Sequence, residues 1–459
     1  MFAELTANGD LPHISRHLLE PGGVVPATTV FPSTTGVAYL PILTGCFPGT
    51  LNVLGIRWLD RRYYNGNWWR DRQHVRSYCG YQGGLLNADV PEEIPSLFDI
   101  EPDAVALCSP FVRGLSPDGI RMPIARAVWG GLAHYVPAAY RKLDALVGDA
   151  LVAAARQRPR LVFAVFPGPD GLAHNRDPWH PDVLDLYRRF DSAVGRYAAN
   201  GGFAGDHLAI VLSDHGISAV DRHVDLDAEL EAYGLRALSH PVIWRRDPQV
   251  AVMVSGNASA QIYLNPGVPR RKRWGLSAIE SGNVPGIPRD LPDFLAQLPG
   301  VALIALMDGT EVVVLSRDGR ARLAEVSEGL IHYAPESADV LGLGASPSLQ
   351  SERDWLTTSY DGPYPDAPVQ LLQLFRSPRA GGIAVVAAPG ADLRDRWEVP
   401  AHRSGHGSLI ADHMRCLMAL NKPVSGILRT TDAFTLAARH LGHSLPAGID
   451  AAELSERRV

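Results

Sequence analysis

Four short segments hold the residue types that can do chemistry. Asp170-Gly-Leu-Ala-His174 carries a carboxylate and an imidazole four residues apart. Ser213-Asp214-His215-Gly216 carries the same two groups side by side, and Gly405-His406-Gly407 holds another imidazole between small residues. Upstream, Phe31-Pro-Ser-Thr-Thr-Gly36 is a cluster of hydroxyls that could supply a nucleophile. Carboxylate and imidazole ligands suit zinc, with manganese as second choice. Two such ions about 4 Å apart clamp a phosphate, activate one oxygen and stabilise the leaving oxygen. A Thr hydroxyl on one ion loses its proton more easily and becomes nucleophilic. The joint reading is a two-metal phosphoester hydrolase site.

Each segment alone has a plainer reading. Asp-x-x-x-His is commonly a surface pair, Ser-Asp-His-Gly a turn, and Thr34-Thr35 a helix cap. The order of all four along one chain favours the joint reading. His402 and His413 are expected to support the ligands from behind or to lie at the surface. Arg270-Arg-Lys-Arg273 reads as a solvated loop, with contact to an anionic substrate as the alternative, and Trp68-Trp69 as either pocket lining or buried packing.

The elements that position these groups follow from hydrophobic patterning. Leu161-Val-Phe-Ala-Val-Phe166 and His207-Leu-Ala-Ile-Val-Leu212 are continuous apolar runs, as expected of strands buried on both faces. Asp170 and Asp214 come directly after them, where the ligand site of an open α/β sheet belongs. The four-residue spacing of Asp170 and His174 places both on one face of a helical turn, whereas Asp214 and His215 can converge only from a loop. Amphipathic helices are expected over 138–156 and 183–199, so strand, helix and strand imply parallel strands with right-handed crossovers. Thr28–Phe31 is expected as a strand and 36–44 as a helix, and Ala104–Cys108 is another apolar run. Thr35, at the start of that helix, adds free backbone N–H groups for a phosphate oxygen. Residues 2–20 read as helix, loop and helix, with Pro12 at a first helical turn, and no strand precedes them. From about 218 to 381 the texture changes to a Pro- and Gly-rich α+β insertion, with a hairpin around Asp308-Gly309. The core is expected to resume at the Gly382–Ala387 strand and to close with a helix over 430–441.

Composition narrows the class. With 459 residues, 46% of them hydrophobic, this is a soluble globular protein of one large domain with an insertion, or of two or three domains. A net charge of −6 argues against a nucleic-acid polymer as partner. Cys46, Cys79, Cys108 and Cys416 form no CxxC pair and read as reduced core residues. No apolar run is long enough to span a membrane, and no signal peptide is evident, so a cytoplasmic location is the default.

These motifs resemble the alkaline phosphatase superfamily, in its type I nucleotide pyrophosphatase/phosphodiesterase branch. The likeness covers residues 29–60, 160–217 and 382–450. Phe31-Pro-Ser-Thr-Thr35 followed by Leu43-Thr-Gly45 and Pro48 is similar to the family's nucleophile segment, with Thr35 at the nucleophile position. Leu212-Ser-Asp-His-Gly216 and Ser404-Gly-His-Gly-Ser408 are the most specific matches. Thr431-Asp432 and Pro446–Asp450 are similar to its closing segment. The resemblance implies an α/β fold with an alkaline-phosphatase-like core, a largely parallel central sheet flanked by helices and an inserted α+β cap. The core would comprise residues 1–217 and 382–459, and the cap residues 218–381. It implies two divalent ions, zinc before manganese: Asp170, His174 and His406 on one, and Asp214, His215 and Thr35 on the other. The substrate would be a small phosphodiester or nucleotide-like molecule.

Two departures stand out. The family opens with a strand ending in Asp-Gly, whose Asp binds the second metal, and this chain has no equivalent; the helical texture of residues 1–20 fits the helix that normally comes after that strand. Gly49–Arg57 replaces the usual His-Gly region, leaving Asn52 and Arg57 as candidates for binding the substrate phosphate. Other readings are a phosphomonoesterase or phosphate mutase on the same fold, or a non-catalytic relic holding a phosphorylated ligand with one metal. Sulfatases share the fold, but Cys46-Phe-Pro48-Gly-Thr50 has Thr50 where their formylglycine motif has Arg.

Overall fold

The computed structural model describes residues 1–65, 74–133, 135–239, 247–267, 272–394 and 401–451. Trp68-Trp69, Arg270 and Arg271 lie outside the described residues. The architecture is α/β, with mixed sheets and helices packed on them.

Two small sheets carry the site. A three-stranded parallel sheet runs Ile120–Arg121, Ala104–Leu107, Leu161–Ala164. A four-stranded sheet runs Leu428–Arg429, Gly23–Thr28, Arg415–Leu420, Ile210–Leu212. The expectation of a largely parallel sheet is corrected here. In the four-stranded sheet only Gly23–Thr28 and Leu428–Arg429 pair in parallel, and Arg415–Leu420 is antiparallel to both its neighbours. The chain explains this: Gly23–Thr28 and Ile210–Leu212 run toward Thr35 and Asp214, whereas Arg415–Leu420 leaves the site after His406. A second correction concerns Leu161–Ala164 and Ile210–Leu212. Each is the outermost strand of a different sheet, and both are half-buried instead of buried on both faces.

The helices Ala139–Gln157 and Pro181–Ala199 form as the 3.6-residue pattern requires. The first buries Leu143, Val147 and Leu151 against Val105 and Leu107. The N-terminal helices Phe2–Ala7 and Pro12–Ile14 form with Pro12 in the first turn. The first strand is Gly23–Thr28, upstream of the expected Thr28–Phe31, and the next helix spans only Tyr39–Thr44.

Residues 237–387 build a nine-stranded sheet, with the expected hairpin of Val301–Asp308 and Glu311–Ser316. Gly309 takes φ 65° at its turn, a conformation that favours glycine. Ile383–Ala387, expected to restart the core, is a central strand of this sheet, between Ser259–Leu264 and Val301–Asp308. Five buried residues in a row let it serve a sheet covered on both faces. The four cysteines are free; Cys46, Cys108 and Cys416 are buried, and Cys79 is exposed, contrary to a core position. Among the described residues no helix is long and apolar enough to cross a membrane.

Candidate active site

Asp170 and His174 sit on the helix Gly168–Asn175, which follows the Leu161–Ala164 strand. Glycine lets this helix pack closely. A Cβ on Gly171 would lie 2.0 Å from the Tyr140 ring, and one on Gly168 would lie 2.2 Å from Asp144 Oδ2. The i, i+4 spacing aims both side chains one way, with His174 Nε2 3.5 Å from Asp170 Oδ1. Asp214 and His215 lie in the turn after Ile210–Leu212. That turn is pinned by Gly216 N–H donating to His413 O at 2.8 Å and by the Thr29 hydroxyl donating to Asp214 O. His406 follows the two-residue strand Ser404–Gly405, which pairs with Ser218–Ala219. Gly407 takes φ 106° and donates its N–H to Ser33 Oγ at 3.1 Å.

Three imidazoles share one arrangement. Nδ1 of His174 lies 2.9 Å from Ser404 O, that of His215 2.9 Å from Gly216 O, and that of His406 2.9 Å from Ser33 O. A carbonyl only accepts, so each Nδ1 carries the proton and each Nε2 presents a lone pair to the site. His174 Nε2 and His406 Nε2 are 3.0 Å apart, and His406 Nε2 is 3.6 Å from Asp170 Oδ1. Two facing lone pairs repel unless a cation lies between them. Zinc bonds of about 2.1 Å in a tetrahedron put ligand atoms about 3.4 Å apart, close to the observed edges of 3.0, 3.5 and 3.6 Å. Among the described residues, Asp170, His174 and His406 are the cluster of three or more that could hold a metal ion. Asp170 Oδ1 and Asp214 Oδ2 are buried without a hydrogen-bond partner, as fits oxygens facing a cation.

The second candidate pair adjoins the first. Asp214 Oδ2 lies 3.4 Å from His215 Nε2, and the His215 and His406 rings stack at 3.8 Å. Thr35 Oγ1 sits at the junction, 2.7 Å from His215 Nε2 and 3.3 Å from Asp170 Oδ2. Thr35 occupies a turn that precedes the helix by several residues, not the helix start. Its hydroxyl, therefore, is what the fold aims into the site.

The electrostatics suit a cation. Burial raises the Asp214 carboxyl above its ordinary value, with the Asp170 charge adding and His215 opposing. Burial, then the neighbouring His215 and His174, hold His406 well below its ordinary value, so its imidazole is neutral. His413 is pushed down to about 3, mainly by burial. It accepts from Ser408 N–H at Nδ1 and lies 2.8 Å from Ser218 Oγ at Nε2, bracing the two loops. His402 lies 2.8 Å from the Asn257 amide and packs its ring on His174 at 4.4 Å.

The two candidates for phosphate binding part company. Asn52 ends a short helix at φ 56° and accepts from Ser377 Oγ at 2.8 Å. Arg57 is 8% exposed, with its Nε buried and without a partner. Arg273 of the basic run donates to Phe375 O and Ser377 O, and Lys272 covers the Trp274 ring. Cys46 is fully buried with its thiol pushed up to about 12, which suits packing and not catalysis. Sequence reasoning gave no role to Ser33, whose carbonyl orients His406, or to Ser404, whose carbonyl orients His174. The signal for Ser404 was its place two residues before His406; Ser33 is 373 positions away from its partner.

The sequence model of one family, described as type I phosphodiesterase / nucleotide pyrophosphatase, matches residues 1–274. The chain belongs to that family. Membership makes it a phosphoester hydrolase by class, and the Asp170 cluster could hold the metal on which the family depends. No curated protein matches the sequence. Among solved structures, phosphonoacetate hydrolase from Sinorhizobium meliloti 1021 is similar at TM-score 0.52 and 16% identity, covering 95% of this chain and 91% of that one. Murine ectonucleotide pyrophosphatase/phosphodiesterase 5 is similar at TM-score 0.51 and 12% identity, covering 95% and 91%. Its human counterpart gives 0.52 and 13%, covering 95% and 90%. At these identities the likeness establishes the fold, an alkaline-phosphatase-like core.

Proposed function

We propose that this family member is a phosphodiesterase or nucleotide pyrophosphatase with Thr35 as nucleophile and two metal positions. Asp170, His174 and His406 would hold one ion; Asp214, His215 and Thr35 would hold the other, with zinc favoured by the nitrogen-rich donor set. When bound, the ions would neutralise phosphate charge and lower the pKa of the Thr35 hydroxyl. The observation that carries the reading is the position of Thr35 Oγ1, within 3.3 Å of Asp170 and 2.7 Å of His215.

In this reading Thr35 Oγ forms a bond to phosphorus as the bond to the leaving oxygen breaks. The leaving group departs with that electron pair and gains a proton, and a phosphothreonine remains. Water then cleaves the phosphothreonine and restores the hydroxyl. Ser33 O, Ser404 O and Gly216 O keep each imidazole in one tautomer throughout. Of the two phosphate-binding candidates Asn52 is committed to Ser377, which leaves Arg57, whose Nε is buried and without a partner, as the candidate for a substrate phosphate oxygen. Two observations on similar proteins favour a small phosphorylated substrate. The S. meliloti enzyme is seen with phosphonoacetate, and the murine protein, as an inactive threonine-to-alanine variant, with AMP.

The test is hydrolysis of bis(p-nitrophenyl) phosphate against p-nitrophenyl phosphate, with zinc or manganese, by wild type and Thr35→Ala. Diester turnover abolished in the variant supports the reading. Monoester preference moves the chain to a phosphatase, and absence of turnover with metal bound makes it a binding protein.

A further inference from the structure

The helix Pro123–Ala133 has no polar face. Its sequence, Pro-Ile-Ala-Arg-Ala-Val-Trp-Gly-Gly-Leu-Ala, holds one charged residue, Arg126. One side packs inward: Trp129, with Met122 just ahead of the helix, lies against the core of Val105, Leu107, Leu143 and Val147. The other side is apolar too, yet it faces water. Ile124, Val128 and Leu132, four residues apart, are 77%, 57% and 43% exposed, and the row continues through Tyr135 at 77% and Val136 at 47%. The N–H groups of Tyr135 and Val136 both donate to Leu132 O, which carries the helical course past Ala133. A helix that is apolar on all sides belongs inside an assembly. These five side chains leave on the order of 600 Å² in water, at the upper limit of the patch that a monomer ordinarily shows. The exposed Pro123, Ala127 and Gly131 extend the same face toward the roughly 800 Å² that each partner gives to a stable interface.

The middle of that face is small. Gly130 and Gly131 sit inside the helix, where glycine is weaker than alanine, and a Cβ on either would meet no atom within 4 Å. Packing within the chain therefore does not require them. Ala127 lies one turn before Gly131 on the same exposed side. The face is a saddle at Ala127 and Gly131, with Ile124 and Tyr135 at its ends and Val128 and Leu132 along its flank. We propose that this face is the interface of a homodimer in which Pro123–Ala133 packs antiparallel against the same helix of a second copy, about a two-fold axis. Such an interface is self-complementary: Ile124 of one copy meets Tyr135 of the other at each end, and Val128 and Leu132 of each copy enter the saddle of the other. The small residues at the crossing let the two helix axes approach closely. The chemistry of the face disfavours other partners. An acidic protein or an anionic lipid surface would be met by Lys or Arg there, whereas Arg126 is turned the other way, its charge acting on the buried Cys108 thiol. The helix leaves the carboxyl end of Ile120–Arg121, and Leu161–Ala164 of the same parallel sheet leads to Asp170 from that end. The seam thus starts on the side of each subunit that carries the site.

The test is the mass in solution, read by sedimentation equilibrium from about 1 to about 100 µM protein, which is independent of any hydrolytic activity. Wild type is expected at twice the mass of the chain. Gly131→Gln, for which the single chain has open space, and Leu132→Asp are each expected to weaken association about 100-fold or more, with the circular dichroism of the wild type. Disulfide capture reads the geometry, in a Cys79→Ser background that removes the exposed native thiol. Positions 124 and 135 of one chain are about 16 Å apart, beyond the reach of a disulfide. On mild oxidation the double variant Ile124→Cys with Tyr135→Cys is therefore expected to give a linked dimer, and neither single variant is. A monomeric wild type at the highest concentration, a dimer that either substitution leaves at full strength, or linkage as strong in a single variant as in the double would overturn the proposal. So would a monomer that binds phosphatidylcholine vesicles through this face, which assigns the face to a lipid surface.

Discussion

Replacing Asp144 with Asn should make the protein more stable at alkaline pH and change little near pH 4. Asp144 is 5% exposed and lies in the Ala139–Gln157 helix, beneath the helix that carries Asp170 and His174. Its Oδ1 accepts from Gly168 N–H at 3.0 Å, and its Oδ2 is buried without a partner. Burial pushes this carboxyl up from 3.8 to about 7, against a smaller lowering by the Gly168 bond. A raised carboxyl pKa means the folded state holds a proton that the unfolded state has released. Stability therefore falls as pH rises from about 4 toward 7 and stays low above that. At about 1.36 kcal/mol per unit, the shift corresponds to about 4 kcal/mol lost between pH 4 and 8. Asn is neutral throughout and keeps an oxygen for Gly168 N–H. Denaturant unfolding of metal-saturated wild type and Asp144→Asn at pH 4.5, 6 and 8 reads the difference; these values are about evenly placed across the window. Curves that stay parallel, or a variant that is the less stable at pH 8, would refute the assignment of a buried carboxyl with one oxygen unpartnered.

Other perturbations reach the site and its frame. Gly407→Ala should lower metal content and cut activity by about 10- to 100-fold without touching a ligand, because a Cβ there lies 2.5 Å from Ser255 O and must displace His406; metal analysis of purified variant checks this. Arg429→Met should destabilise by about 3–5 kcal/mol in denaturant unfolding, since it leaves the fully buried Asp366 without the paired bonds of 2.7 and 2.8 Å that Arg429 donates. Adding Asp366→Leu should recover part of that loss. Arg57→Ala should raise the KM for a phosphodiester about tenfold or more, with metal content unchanged.

The clustering of the candidate ligands was legible because local rules place them. A period of 3.6 puts Asp170 and His174 on one helical face, and an apolar strand ahead of Asp214-His215 delivers that turn to the sheet end. The groups that orient them were not legible. The carbonyl of Ser33 meets His406 across 373 residues, and that of Ser404 meets His174 across 230; backbone partners leave no mark in side-chain composition. The apolar run 161–166 gave its strand but not its neighbour, since a continuous run says only that both faces avoid water. The same ambiguity hid Ile383–Ala387, whose pattern suits the nine-stranded sheet as well as the catalytic one. The motif singled out Thr35, whose hydroxyl lies beside Asp170 and His215, although the helix expected to begin there starts at Tyr39.

The most direct test of the central claim is capture of the covalent intermediate. Acid quenching of metal-loaded enzyme during turnover of bis(p-nitrophenyl) phosphate, followed by proteolysis and mass spectrometry, should find the nitrophenyl phosphoryl group on the peptide containing Thr35, and not in Thr35→Ala. Full turnover by Thr35→Ala, or an adduct located on any other residue, would contradict the account.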